Sequence, residues 1–149
     1  MAIHFFEEEI KSSLTEKRII KQWLKQIAER KEYKIQDLNY IFCSDEYLLE
    51  INIQYLNHDT YTDIVTFDQS EYDNEIEGDI YISIDRVKEN AATLKTTYHQ
   101  ELLRVLAHGL LHLCGLKDKT EKEKIEMRKE EDAALSLFPQ TTVPRGTVK

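Results

Sequence analysis

From Leu102 to Gly115 the chain reads Leu-Leu-Arg-Val-Leu-Ala-His-Gly-Leu-Leu-His-Leu-Cys-Gly, a segment that must fold as a helix buried on almost every side. Into that apolar run it carries two histidines. His108 and His112 are four positions apart, which puts both rings on one helical face. A buried polar group left without a partner costs roughly 1–3 kcal/mol. One metal ion satisfies both rings at once.

The residues that follow extend the pattern. Gly115 stands three after His112, and glycine accepts the left-handed backbone that ends many helices. A chain that turns there can swing the Asp118 carboxylate back toward the rings. The spacing is His-x3-His-x2-Gly-x2-Asp. Two neutral imidazoles and a carboxylate, with a fourth position open, have the composition of a catalytic rather than a structural zinc site, holding one Zn2+. The alternative is a pair of satisfied core histidines, with Asp118 capping a loop.

Zinc peptidases place a glutamate, their general base, directly after the first histidine. Here that residue is Gly109, although the ligand spacing is that of the metzincin proteases. Peptide hydrolysis by that route is disfavoured.

A chain of 149 residues with 41% hydrophobic content suits one domain with a substantial core. We expect that domain over 1–138, followed by a frayed tail over 139–149. No apolar run approaches the roughly 18 residues of a transmembrane helix, and the N-terminus lacks the basic and apolar regions of a signal peptide. The expectation is a cytoplasmic protein without membrane association. Cys43 and Cys114 are too few for a disulfide framework and read as core residues. A net charge of −8 argues mildly against nucleic-acid binding, although a local basic groove or a metal's own charge can still attract phosphate.

Alternation around Ile3 and Phe5, around Leu38, Tyr40 and Phe42, over 63–67 and over 78–84 predicts four strands. Thr15 is expected to cap a helix carrying Ile19, Ile20, Trp23, Leu24 and Ile27, and Ser44 to open one with Leu48, Ile51 and Tyr55 on one side. Asp85 is expected to cap a helix to about Leu94, and the histidine helix to begin near Thr97. Thr120 and Glu123 form a capping box for a closing helix through Leu137. The mixture predicts an α+β domain: about four strands in a mixed sheet packed against about five helices, with the metal site on a buried helix.

Three blocks of residues carry a family likeness. Ile51-Asn52-Ile53-Gln54-Tyr55, followed by Thr62-Asp63-Ile64-Val65-Thr66-Phe67, looks like Leu-Asn-x-x-Tyr and Thr-Asp-Val-Leu-Ser-Phe segments. Gly78-Asp79-Ile80 is the second block. His108-Gly109-Leu110-Leu111-His112-Leu113-Cys114-Gly115 matches a His-Gly-x-Leu-His-Leu-x-Gly signature. Over roughly 47–132 the chain thus resembles the YbeY family of bacterial metal-dependent endoribonucleases. The resemblance implies a cytoplasmic, zinc-binding protein of ribosome biogenesis. It would act on single-stranded ribosomal RNA in 3′-end maturation of the small-subunit RNA and in the removal of defective ribosomes, with ribosomal particles or assembly proteins as partners. Two positions depart from the family pattern. Asp118 stands where the family usually has a third histidine, and Leu56 where it has an arginine thought to serve activity.

Arg104, four residues before His108 on the same stripe, is a substitute cation for substrate phosphate; the blander reading is an Arg104–Glu101 pair on the helix's outer end. Asp63 is a candidate carboxylate for assisting the attacking water, or simply a backbone cap. Asp79 reads as a turn residue, His58 as a solvated loop histidine, and His99 falls on the opposite face from the pair. The rival functions are a non-catalytic, zinc-stabilised ribosome-assembly factor and, disfavoured by Gly109, a metallopeptidase.

Overall fold

β-Branched and aromatic alternation produces four strands: β1 (Ala2–Glu8), β2 (Lys34–Cys43), β3 (Ile64–Asp68) and β4 (Glu75–Ser83). In this computed structural model, which describes residues 2–57 and 61–139, they form one sheet in the order β1-β2-β4-β3. β1 and β2 pair parallel, as do β2 and β4, while β3 runs antiparallel to β4. The helices are α1 (Lys17–Arg30), α2 (Asp45–Leu56), α3 (Ile84–Leu94), α4 (Tyr98–Leu113) and α5 (Glu121–Ser136). The described residues therefore make the expected α+β domain with a mixed sheet. None of their helices is long and apolar enough to cross a membrane. The tail expected over 139–149 lies, beyond Pro139, outside the described residues, as does His58.

β2 runs through the middle of the core. A register shift between Ile35 and Asp37 acts as a bulge, so Ile35 and Leu38, three apart, both enter the main core with Tyr40 and Phe42. That core is completed by Trp23, Leu24 and Ile27 of α1 and the apolar side of α4. The Tyr40 hydroxyl donates to the Leu106 carbonyl at 2.9 Å, fixing α4 over the sheet. Gly109 lets the helix come close. A Cβ there would lie 3.0 Å from the Ile64 Cδ1 and from two Ile80 carbons. A smaller cluster of Cys43, Leu48, Ile51 and Val65 forms with α2.

α5 closes the domain over α4. Its buried residues Met127, Glu131 and Ala134 recur at helical spacing, and the Trp23 indole N–H donates to the Ala134 carbonyl at 2.8 Å. The capping box of Thr120 and Glu123 starts it as the sequence indicates. Two caps differ from expectation. Thr15 does not cap α1, which begins after Glu16 in a left-handed conformation with no side-chain cap. Ser83, two residues before Asp85, accepts from the Arg86 amide and caps α3. Asp85 instead accepts from the Asp45 amide at 2.8 Å, serving the start of α2. Tyr55 is exposed rather than packed, stacking edge-on against Phe67. Asp79 sits within β4, not in a turn, and accepts from the Asn39 side chain opposite it at 3.0 Å.

Candidate metal centre

α4 starts at the Thr97 cap and presents one polar stripe along its length: Glu101, Arg104, His108 and His112. The last two rings lie nearly perpendicular, with centroids 4.7 Å apart. The helix stops at Cys114. Gly115, at φ +97°, turns the chain in the left-handed region where glycine alone is unstrained, and its amide donates to the His112 carbonyl at 2.9 Å. The turn brings Asp118 back over the helix. Its Oδ2 lies 3.2 Å from His108 Nε2 and 3.3 Å from His112 Nε2. The three side chains offer ligand atoms that all lie within 4.8 Å of one another.

The other ring nitrogens decide whether this cluster suits a metal. His108 Nδ1 is 2.6 Å from Glu131 Oε2, and His112 Nδ1 is 2.9 Å from the Leu116 carbonyl. A carboxylate and a carbonyl oxygen both accept, so each Nδ1 carries the hydrogen and each Nε2 keeps its lone pair for the shared point. Two imidazole lone pairs and a carboxylate oxygen converging this way can hold a metal ion. Both rings are mostly buried, with side-chain exposures of 20% and 25%, yet the cluster stays reachable.

Electrostatics tie the centre to its neighbours. Burial by itself would lower the pKa of His108, but the Glu131 hydrogen bond and the charges of Glu131, Asp118 and Asp63 outweigh it and raise the value. Burial likewise opposes ionisation of Glu131, and the hydrogen bonds from His108 and Arg104 hold its pKa below the usual carboxylate range. Asp63 precedes β3, and its carbonyl accepts from the Ser83 amide at 2.9 Å. Burial raises its carboxyl pKa against the opposing charge of His108. Asp63, Arg104, His108 and Glu131 all line one cavity of about 240 Å3.

Arg104 is not on an outer end. Its Nη1 donates to Glu131 at 2.9 Å and its Nη2 to Asp132 at 3.1 Å, while Glu101, itself buried, is 4.0 Å away. Cys114 is buried, and burial pushes its thiol up to about 12, so it is inert beside the site. His99 lies away from the pair, near Glu16 and Phe138. Sequence reasoning missed Glu131. Its available signal was an acid at a core-facing position of α5, between Met127 and Ala134.

Residues 3–138 match the family model described as Endoribonuclease YbeY. An Endoribonuclease YbeY from Cytophaga hutchinsonii is 59% identical over 135 residues, covering 91% of this chain and 94% of that protein. One from Parabacteroides distasonis is 47% identical over 140 residues, covering 94% and 98%. A solution structure of a Thermotoga maritima protein, 26% identical, superposes with a TM-score of 0.65 over 98% of this chain and 99% of that one.

Proposed function

The chain belongs to the Endoribonuclease YbeY family, and on that premise we propose that it is a zinc-dependent, single-strand-specific endoribonuclease that matures the 3′ end of small-subunit ribosomal RNA and serves ribosome quality control. As a family member it is an RNA-cleaving hydrolase that processes ribosomal RNA. The finer reading places it as one domain in the cytoplasm, with ribosomal particles or assembly proteins as partners.

The observation that carries this reading is the convergence of His108 Nε2, His112 Nε2 and Asp118 Oδ2, with both Nδ1 hydrogens already committed elsewhere. These three residues would hold the ion, which supplies Lewis acidity toward a phosphodiester and lowers the pKa of water. The protein's part is orientation and proton handling. Leu116 and Glu131 keep both rings in the tautomer that leaves Nε2 free. Asp63, in the cavity shared with His108 and with its proton affinity raised by burial, is the carboxylate proposed to take a proton from the attacking water. Gly109 bears on the peptidase alternative. A glutamate side chain there would drive into Ile64 and Ile80 rather than face the ligands.

Incubation of a single-stranded RNA with purified protein and zinc tests the proposal. Wild type cleaves it, and His112→Ala, purified identically, does not. Stoichiometric zinc without any cleavage would favour the assembly-factor reading, which gains from Leu56 standing half-exposed at the end of α2 where the family arginine is absent.

A further inference from the structure

We infer that Glu131 and Arg104 act as a positioning pair for the metal centre, Glu131 setting the tautomer and ligand strength of His108 and Arg104 holding Glu131 in place; this rests on the reading of His108, His112 and Asp118 as metal ligands.

Glu131 is 6% exposed, on the face of α5 that carries Met127 and Ala134 into the core. A carboxylate buried there is expensive unless each oxygen is matched. Both are. Oε2 takes the His108 Nδ1 hydrogen at 2.6 Å, and Oε1 takes the Arg104 Nη1 hydrogen at 2.9 Å. The first bond is short, as hydrogen bonds to an ionised acceptor are. It fixes the lone pair on Nε2 and feeds electron density into the ring, which makes His108 a stronger ligand.

Arg104 is itself oriented. Asp132 takes its Nη2 hydrogen at 3.1 Å, so the guanidinium spans two residues of α5 with Nη1 turned to Glu131. Glu101 stands 4.0 Å from Nε, and its Oε1 has no hydrogen-bond partner among the described residues. Three carboxylates thus surround one guanidinium. Little positive potential is left for a phosphate, and the role the geometry gives Arg104 is to hold Glu131 aimed at His108.

The test uses the full chain and zinc ion alone, with affinity measured by chelator competition. Wild type binds one zinc and His112→Ala loses it. Glu131→Gln weakens binding by roughly 10–100-fold, the range for partners behind a metal ligand. Arg104→Met weakens it by less, and Arg104→Lys restores part of the loss. In nitrogen-15 spectra of the zinc-loaded protein, the His108 Nδ1–H resonance moves in Glu131→Gln. It stays in place in Met127→Leu, which alters the packing of the same helix face while keeping its volume and the docking of α5. Wild-type affinity in both Glu131→Gln and Arg104→Met, with His112→Ala still deficient, would overturn the pair and leave the metal centre standing. An equal affinity loss and the same resonance shift in Met127→Leu would overturn it as well, by reducing Glu131 to helix packing. A wild-type protein that binds no zinc would remove both inferences together.

Discussion

The two halves of the proposed metal centre reach the same geometry by different means. His112 is oriented by the Leu116 carbonyl, four residues along the chain, delivered by the turn at Gly115. His108 is oriented by Glu131, 23 residues away on another helix. One half is local and comes with the end of α4. The other exists only when α5 has docked, and α5 docks through Met127, Ala134 and the Trp23 hydrogen bond. The centre is therefore half secondary structure and half tertiary structure.

The sharpest break in that comparison is Asp118→Ala, which removes the oxygen both rings share. Stoichiometric zinc should be lost from both halves at once, read by metal analysis of purified protein. Retained zinc would show that Asp118 is not one of the ligands.

Acid should act next, through the His108 half. An imidazole ligates only when neutral, and the raised pKa of His108 means that protons compete from above the usual histidine value of about 6.5. Zinc affinity of the metal-free protein should fall as pH drops, by roughly tenfold per unit for one displaced proton once His108 is protonated. Asp63→Asn removes one of the charges that raise this pKa, so the onset should move to lower pH. An onset that stays put or moves upward would contradict that account.

The smallest effect belongs to the local half. Gly115→Ala forces a side chain into a left-handed backbone at a cost of about 1 kcal/mol, visible as a lower urea midpoint. A zinc loss smaller than that of Glu131→Gln is expected, because the turn can shift slightly while α4 holds His112. A larger loss would reverse the ranking of the two halves.

What could be read from the sequence follows the same division. The His112 half was legible because His108, His112, Gly115 and Asp118 lie within eleven consecutive residues, and helix periodicity and glycine turns act over that range. Strands and most helices were legible for the same reason. The Glu131 contact was not: the spacing of Met127 and Ala134 marks Glu131 as a core-facing acid, but no local pattern says that it meets His108. The cap of α3 is not legible because neighbouring residues compete. Ser83 and Asp85 both suit an N-cap; Ser83 caps α3, while Asp85 accepts from the Asp45 amide beside Ser44, the expected cap of α2. Asp79 is expected to satisfy a turn, yet it follows Gly78 within β4. That glycine instead admits the Phe67 carbonyl, which would lie 2.4 Å from any Cβ there.

The close seat of α4 on its sheet has a consequence for anyone who would redesign this protein. With two imidazoles and a carboxylate in place, conversion to a peptidase looks like one substitution, the glutamate after the first histidine. At Gly109, however, the first added carbon already presses on Ile64 and Ile80 from adjacent strands. A redesign must shorten both isoleucines or lift the helix, and lifting it breaks the Tyr40 bond to Leu106. The barrier between the two chemistries is set by the distance between a helix and a sheet, ahead of any choice of ligands.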